Sequence, residues 1–254
     1  MIDLKHMHCF FTVLFWAVSF LSQAQNISPL VKYSYKHVNQ LTKVEDSLKK
    51  QFQEKKLVWP PNAVYIRSFK YDRQLEVWAM DSTSAGYKLF KTYRVCMQSG
   101  TTGPKRMEGD FQVPEGFYHI NDFNSNSSYH LSLGINYPNS SDRILSDSLR
   151  PGSAIYIHGN CVSVGCIAVD DDPIEELFVL ATNARIQGQE FIPVHVFPVR
   201  YTNKKSLDYL MNAIKNSKYL QSFNHNIHQV FEYFESKKRL PIILVNKKGE
   251  YVIN

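Results

Sequence analysis

Apolar side chains recur at Val38, Leu41, Val44, Leu48 and Phe52, the three- and four-residue steps that draw one stripe along an α-helix. A stripe this short predicts a helix packed on a larger body rather than a coiled-coil face. "WPPN", residues 59–62, ends it. The period then shortens: "AVYIRSF", "LEVWAM" and "YKLFKTYRVC" read as successive β-strands divided by turn residues. "VPEGFYHI" feeds a further strand, Tyr129–Leu133 is a short one followed by a polar loop, and "SAIYIHG" is an apolar strand ending at His158. "DDPIEELFVLATNARIQGQ" returns to helical spacing, with Asp171 or Asp172 as cap, Pro173 in the first position and Ile174, Leu177, Phe178, Ala181 and Ala184 inward. "FIPVHVFPV", residues 191–199, is again a strand, and its His195 reads as a histidine of the core or sheet face. Beyond Arg200 two polar helical stretches precede a last strand, "PIILV". The expected order is an N-terminal helical segment (25–58), a mainly β catalytic domain with accessory helices (59–200) and a C-terminal helical appendage (201–254).

The first residues follow another logic. "MIDLKHMHCFFTVLFWAVSFLSQAQ" has a short basic start, an apolar run from Phe10 to Leu21, and small residues at Ser22 and Ala24. This reads as an export signal over residues 1–24; the apolar run falls short of the ~20 residues that span a bilayer. No later stretch approaches a transmembrane run, so no stable membrane span is expected after removal of the signal. A formal net charge of +6 favours anionic surfaces. Export argues against nucleic acid and for a wall polymer or lipid head groups.

Removal of the signal takes Cys9 and leaves Cys96, Cys161 and Cys166. An odd number of thiols in an oxidising compartment leaves one without an intramolecular partner. The stretch "IYIHGNCVSVGC", residues 155–166, carries two of them behind a histidine. A cysteine is a nucleophile as thiolate, and His158 at the end of its strand could take the proton if the glycine-containing turn folds Cys166 back toward it. Gly159 lets the chain leave the strand beside the base, Gly165 permits close backbone approach, and the amides around Gly165 and Cys166 could form an oxyanion hole. Two other readings stay open: a Cys161–Cys166 disulfide loop, and a zinc site of His158 with both cysteines, which lacks an evident fourth ligand. His225 and His228 have no convincing ligand spacing, and the glycines of "SGTTGPKRMEGDF" match no nucleotide fingerprint.

The segments "VPEGFYHI", "YHLSLGINYPN", "SAIYIHGNCVSVGCIAV" and the acidic start of the next helix together resemble the L,D-transpeptidase (YkuD) catalytic domain, in its murein-transpeptidase-like branch, over about residues 60–200. The resemblance implies an L,D-transpeptidase-like β-sandwich. It implies Cys166 as acyl-accepting nucleophile, His158 as its base and the Gly159 carbonyl as the group that orients the imidazole. Ser163 would brace the loop, and Gly165 with Cys166 would supply the oxyanion side. His130 falls at the upstream histidine position, as a substrate-binding or cleft-wall residue. Four features depart from the commoner pattern: Ile157 before "HG", the short loop between His158 and Cys166, the extra thiol Cys161, and Ala168 where a basic residue is common. Arg143, Lys105 or Arg106 could supply the missing charge. Cys96 could partner Cys161, in which case both are redox-sensitive.

The activity implied is transfer of peptidoglycan stem peptides through a Cys166 thioester. The same first half-reaction serves an L,D-carboxypeptidase, or a hydrolase acting on crosslinks or wall-linked protein. Such chemistry requires neither cofactor nor catalytic metal. The implied location is exported, periplasmic or cell-wall-associated. A non-catalytic wall-binding domain is the alternative from a different class.

Overall fold

The computed structural model describes residues 36–254; the expected signal at 1–24 and the first part of the 25–58 segment lie outside them. The elements run α1 (Val38–Glu54), β1 (Ala63–Phe69), β2 (Gln74–Met80), β3 (Lys88–Arg94), β4 (Gly116–Asn124), β5 (Ser132–Ile135), α2 (Ser140–Leu145), β6 (Tyr156–His158), β7 (Ile167–Ala168), α3 (Asp171–Ile186), β8 (Pro193–Phe197), α4 (Lys204–Ile214), α5 (Lys218–Lys237), β9 (Ile243–Val245) and β10 (Tyr251–Ile253). Eight strands hydrogen-bond in the order β3-β2-β1-β8-β4-β5-β6-β7, and β9 and β10 form a separate hairpin. Two neighbours are parallel, β1 with β8 and β6 with β7. The expected β-rich catalytic domain thus takes the form of one eight-stranded order flanked by helices.

All seven residues of β1 are buried, which requires cover on both faces of the sheet. Val64 and Ile66 join a core with Leu41, Leu48 and Phe52 of α1 and Ile174, Leu177, Phe178 and Ala181 of α3. The alternate residues meet the C-terminal elements: Phe69 packs with Leu210 of α4 and Ile227 and Phe231 of α5, and Tyr65 with Trp78 and Phe234. Between these two groups the buried Arg67 pairs with Glu76 at 2.5 Å and with Glu235 of α5 at 2.6 Å, its guanidinium 4.8 Å from the ring centre of Trp78 and 5.0 Å from that of Phe234. His195 lies on this face with Nδ1 3.0 Å from the Tyr65 hydroxyl.

Four local expectations change. The strand expected over Tyr129–Leu133 starts only at Ser132 and runs to Ile135. The polar loop after β5 contains α2, whose N-terminus closes a reciprocal box between Asn139 and Asp142. A second terminal strand, β10, pairs with β9. Helix α3 starts at Asp171 with Asp170 before it and no side-chain cap, so neither Asp171 nor Asp172 caps it and Pro173 is its third residue. The Asp171 carboxylate instead accepts the amide of Asn160 at 2.8 Å.

Candidate active site

Strand register places the two candidate residues, His158 and Cys166. His158 lies beside Ala168, and Ile157 beside Ile167, in the parallel β6–β7 pair. Side chains alternate along a strand, so the fully buried Ile157 and Ile167 point into the core while His158 and Cys166 share the opposite face. Cys166 sits at the mouth of β7, where its Sγ accepts the amide of Tyr156 at 3.4 Å and lies 3.9 Å from the carbonyl of Ala154. His158 is not among its hydrogen-bond partners in the described residues. The imidazole is held from the other side, with Nδ1 2.6 Å from the Gly159 carbonyl oxygen. That contact makes Nδ1 the donor and leaves Nε2 as the acceptor.

The turn between them is fixed at several points. A Cβ on Gly159 would fall 2.5 Å from Asp171 Oδ1 and 2.9 Å from the Tyr129 carbonyl oxygen, so this position has room only for glycine. Gly165 has a φ of 96°, a region that side chains strain against. Ser163 Oγ accepts the amide of Cys166 at 3.0 Å and donates to its carbonyl at 2.8 Å. Cys161 is bonded to Cys96, 65 residues away, and the segment so tied also grips Ala168, whose carbonyl accepts the Cys96 amide at 2.9 Å and whose amide donates to Met97 at 3.1 Å.

The disulfide resolves the alternatives for this loop. Cys166 is the free cysteine of the described residues, so a Cys161–Cys166 bridge is excluded in this structure. The zinc reading loses Cys161 as a thiolate. Cys96, Cys161 and Asp170 bring potential ligand atoms within 4.8 Å of one another, but the two sulfurs are bonded together and lack the thiolate form that a metal binds.

The two amides expected on the oxyanion side have partners in this structure. The Gly165 amide donates to Ser99 Oγ at 2.7 Å and the Cys166 amide to Ser163 Oγ. Both donors are committed to hydroxyls. Ser99 carried no signal in the sequence, since its loop reaches Gly165 only through the fold.

The three candidate cations separate. Lys105 lines the cavity in front of the thiol, about 190 Å³ in volume, together with Phe111, Gly152, Ala154, Val164 and Cys166. Its buried ammonium bonds Asp110 at 2.6 Å and the Met107 carbonyl at 2.9 Å. Arg106 turns to Asp142 at 2.9 Å and to the Tyr219 hydroxyl at 2.7 Å, and Arg143 is exposed on α2; neither lines that cavity. His130 Nε2 lies 2.6 Å from the buried Glu175 carboxylate, and the ring of Tyr129 lies on that of His158 with centres 4.6 Å apart. Tyr129, Tyr156 and Glu175 had no individual signal beyond the acidic start of α3, and Asp171 had one only as a helix cap.

Burial sets the resting protonation. It pushes the Cys166 thiol up, with the Tyr156 amide and the Lys105 charge partly offsetting it; it pushes His158 down, with the Gly159 contact partly offsetting it. The free site therefore holds a neutral thiol and a neutral imidazole near pH 7.

Residues 61–196 match the family model described as "L,D-transpeptidase catalytic domain", YkuD. The chain belongs to this family. It is 33% identical over 195 residues, 75% of this chain and 74% of the relative, to "Putative L,D-transpeptidase YafK" of Escherichia coli, strains K12 and O157:H7. Among solved structures it is similar to the helical cell shape determining protein Pgp2 from Campylobacter jejuni, at 18% identity and a TM-score of 0.43 over 72% of this chain and 73% of that one. Bd1075 of Bdellovibrio bacteriovorus gives 21% identity and a TM-score of 0.40 over 71% and 62%. For this YkuD-family chain, no helix of the described residues is long and apolar enough to cross a membrane.

Proposed function

We propose that the protein is a cysteine-dependent L,D-transpeptidase acting on peptidoglycan stem peptides in the periplasm or at the cell wall. The observation that carries this reading is the free Cys166 thiol, opening on a cavity and sharing one sheet face with His158, inside the family's catalytic segment. Residues 59–200 form the catalytic unit in this reading, and residues 201–254 an appendage to it.

As substrate enters, the His158 imidazole accepts the thiol proton at Nε2 and Cys166 Sγ attacks the carbonyl carbon of the L-centre in an L,D bond. The terminal D-residue leaves as an amine, protonated by the imidazolium, and a thioester remains on Cys166. An acceptor amine then displaces the thiolate to give a crosslink. Water in its place gives a free acid, the outcome of a carboxypeptidase or of a hydrolase acting on crosslinks or wall-linked protein. The neutral resting pair calls for proton transfer during attack rather than a preformed thiolate. Lys105, at the cavity wall, supplies positive charge close to the sulfur and to an incoming carboxylate. The overall charge of +6 suits an anionic wall.

The test is intact-mass analysis of the protein, with its Cys96–Cys161 bond intact, incubated with tetrapeptide muropeptides, with and without acceptor amine. An adduct lost in Cys166→Ala and resolving to crosslinked product supports transfer; one resolving to free acid alone supports hydrolysis. The absence of adduct and turnover, with crosslinked and protein-linked muropeptides as well, would move the assignment to a wall-binding domain.

A further inference from the structure

The imidazole of His158 is covered by a ring that the reaction itself does not use. Tyr129 lies on it at a centre-to-centre distance of 4.6 Å and an interplanar angle of 35°, and is itself 44% exposed. It is not on a strand: β5 starts at Ser132, and His130 between them has a φ of 70°, a conformation that costs a non-glycine residue free energy and needs support from its surroundings.

That support is visible. His130 Nε2 is 2.6 Å from Glu175 Oε1, on a carboxylate that is 4% exposed and also accepts the side-chain amide of Gln40 on α1. The ring of His37, just before α1, meets the His130 ring edge-on at 5.3 Å. On the other side, Leu131 accepts the Gly159 amide at 3.2 Å, and the Tyr129 carbonyl approaches Gly159 closely enough to exclude a Cβ there. Residues 129–131 are thus clamped between α3 and the end of β6.

Resting on the assignment of His158 as base, we propose that Tyr129 is a positioning residue whose ring holds the imidazole by covering its face, and that the chain Gln40–Glu175–His130 fixes that ring. The helix α1 is then part of the site's construction. A ring in van der Waals contact restricts imidazole rotation and keeps water from one face, while the Gly159 carbonyl fixes the other end.

The experiment uses the full chain, with the His158 imidazole followed by NMR titration and turnover followed on muropeptides, in Tyr129→Phe, Tyr129→Ala and Glu175→Gln. Tyr129→Phe should keep the His158 resonances and kcat within about twofold, because the ring is retained. Tyr129→Ala should move the His158 titration upward, toward the ordinary imidazole value, and lower kcat about ten- to a hundredfold with a smaller change in KM. Glu175→Gln should shift the His158 resonances in the same direction although it does not touch that residue. Unchanged His158 resonances in Tyr129→Ala, or a change confined to KM, overturns the proposal. The NMR arm needs no turnover: an inactive wild type defeats the functional assignment, while the His158 signal decides the role of Tyr129.

Discussion

Cys166 meets opposing influences: burial disfavours its thiolate, while one backbone amide and the charge of Lys105 favour it. With burial the larger effect, alkylation by iodoacetamide should be slow at pH 7 and rise past the ordinary thiol range before levelling. Lys105→Met should move that curve to still higher pH. Asp110 is left with the amides of Arg106, Met107 and Gln112, so the variant should fold; an unmoved curve would show that the ammonium does not act on the sulfur. Gly159 gives a second prediction at this scale. A Gly159→Ala methyl would overlap Asp171 Oδ1 and the Tyr129 carbonyl, and relieving it moves the Asn160 amide off Asp171. The expected cost is about 1–3 kcal/mol of stability with a large loss of acylation, read by denaturant titration and by the adduct rate.

The loop that carries Cys166 is held at element scale by the Cys96–Cys161 bond, which ties it to the segment following β3. Cross-linking residues 65 apart removes conformations from the unfolded chain, an effect of about 2–4 kcal/mol. The Cys96→Ser/Cys161→Ser double variant should lose that amount in a denaturant titration and acylate more slowly; equal stability would show that the bond contributes nothing. Neither Cys96 nor its distance from Cys161 in space can be read from spacing, which is why the pairing was open in the sequence while the helical stripe from Val38 to Phe52 was plain. Elements with a long period were legible: α1, the fully buried β1, and α3 apart from its cap. The two-residue β7 and three-residue β10 are too short to show alternation. Helix α2 was hidden in a polar stretch, although Asn139 and Asp142 carry its capping pattern. In the site, His158, Cys166, Gly159 and Ser163 stand in one short stretch. Ser99, Tyr129 and Glu175 reach it through tertiary packing, and the sheet register alone brings His158 and Cys166 to one face.

For the whole molecule, the face between the sheet and the C-terminal helices carries a pH dependence of its own. His195 is enclosed by Tyr65, Phe117 and Phe197, and burial, aided by the nearby Arg67 charge, lowers its pKa to about 3. Unfolding returns it to about 6.5. Between these values the unfolded chain binds a proton that the folded chain does not, so stability falls as pH falls through this window. The contribution is fully present above pH 6.5 and lost progressively toward pH 3, with an upper bound of about 5 kcal/mol. His195→Gln can still meet the Tyr65 hydroxyl, carries no titrating group, and should flatten the acid limb of stability measured by urea unfolding between pH 7 and 4. In the wild type the His195 resonance should remain that of a neutral imidazole until the chain unfolds. A resonance that titrates near pH 6 with the fold intact would show that water reaches this face, and that the seal between sheet and C-terminal helices, with Arg67 bridging Glu76 and Glu235 across it, is looser than its packing indicates.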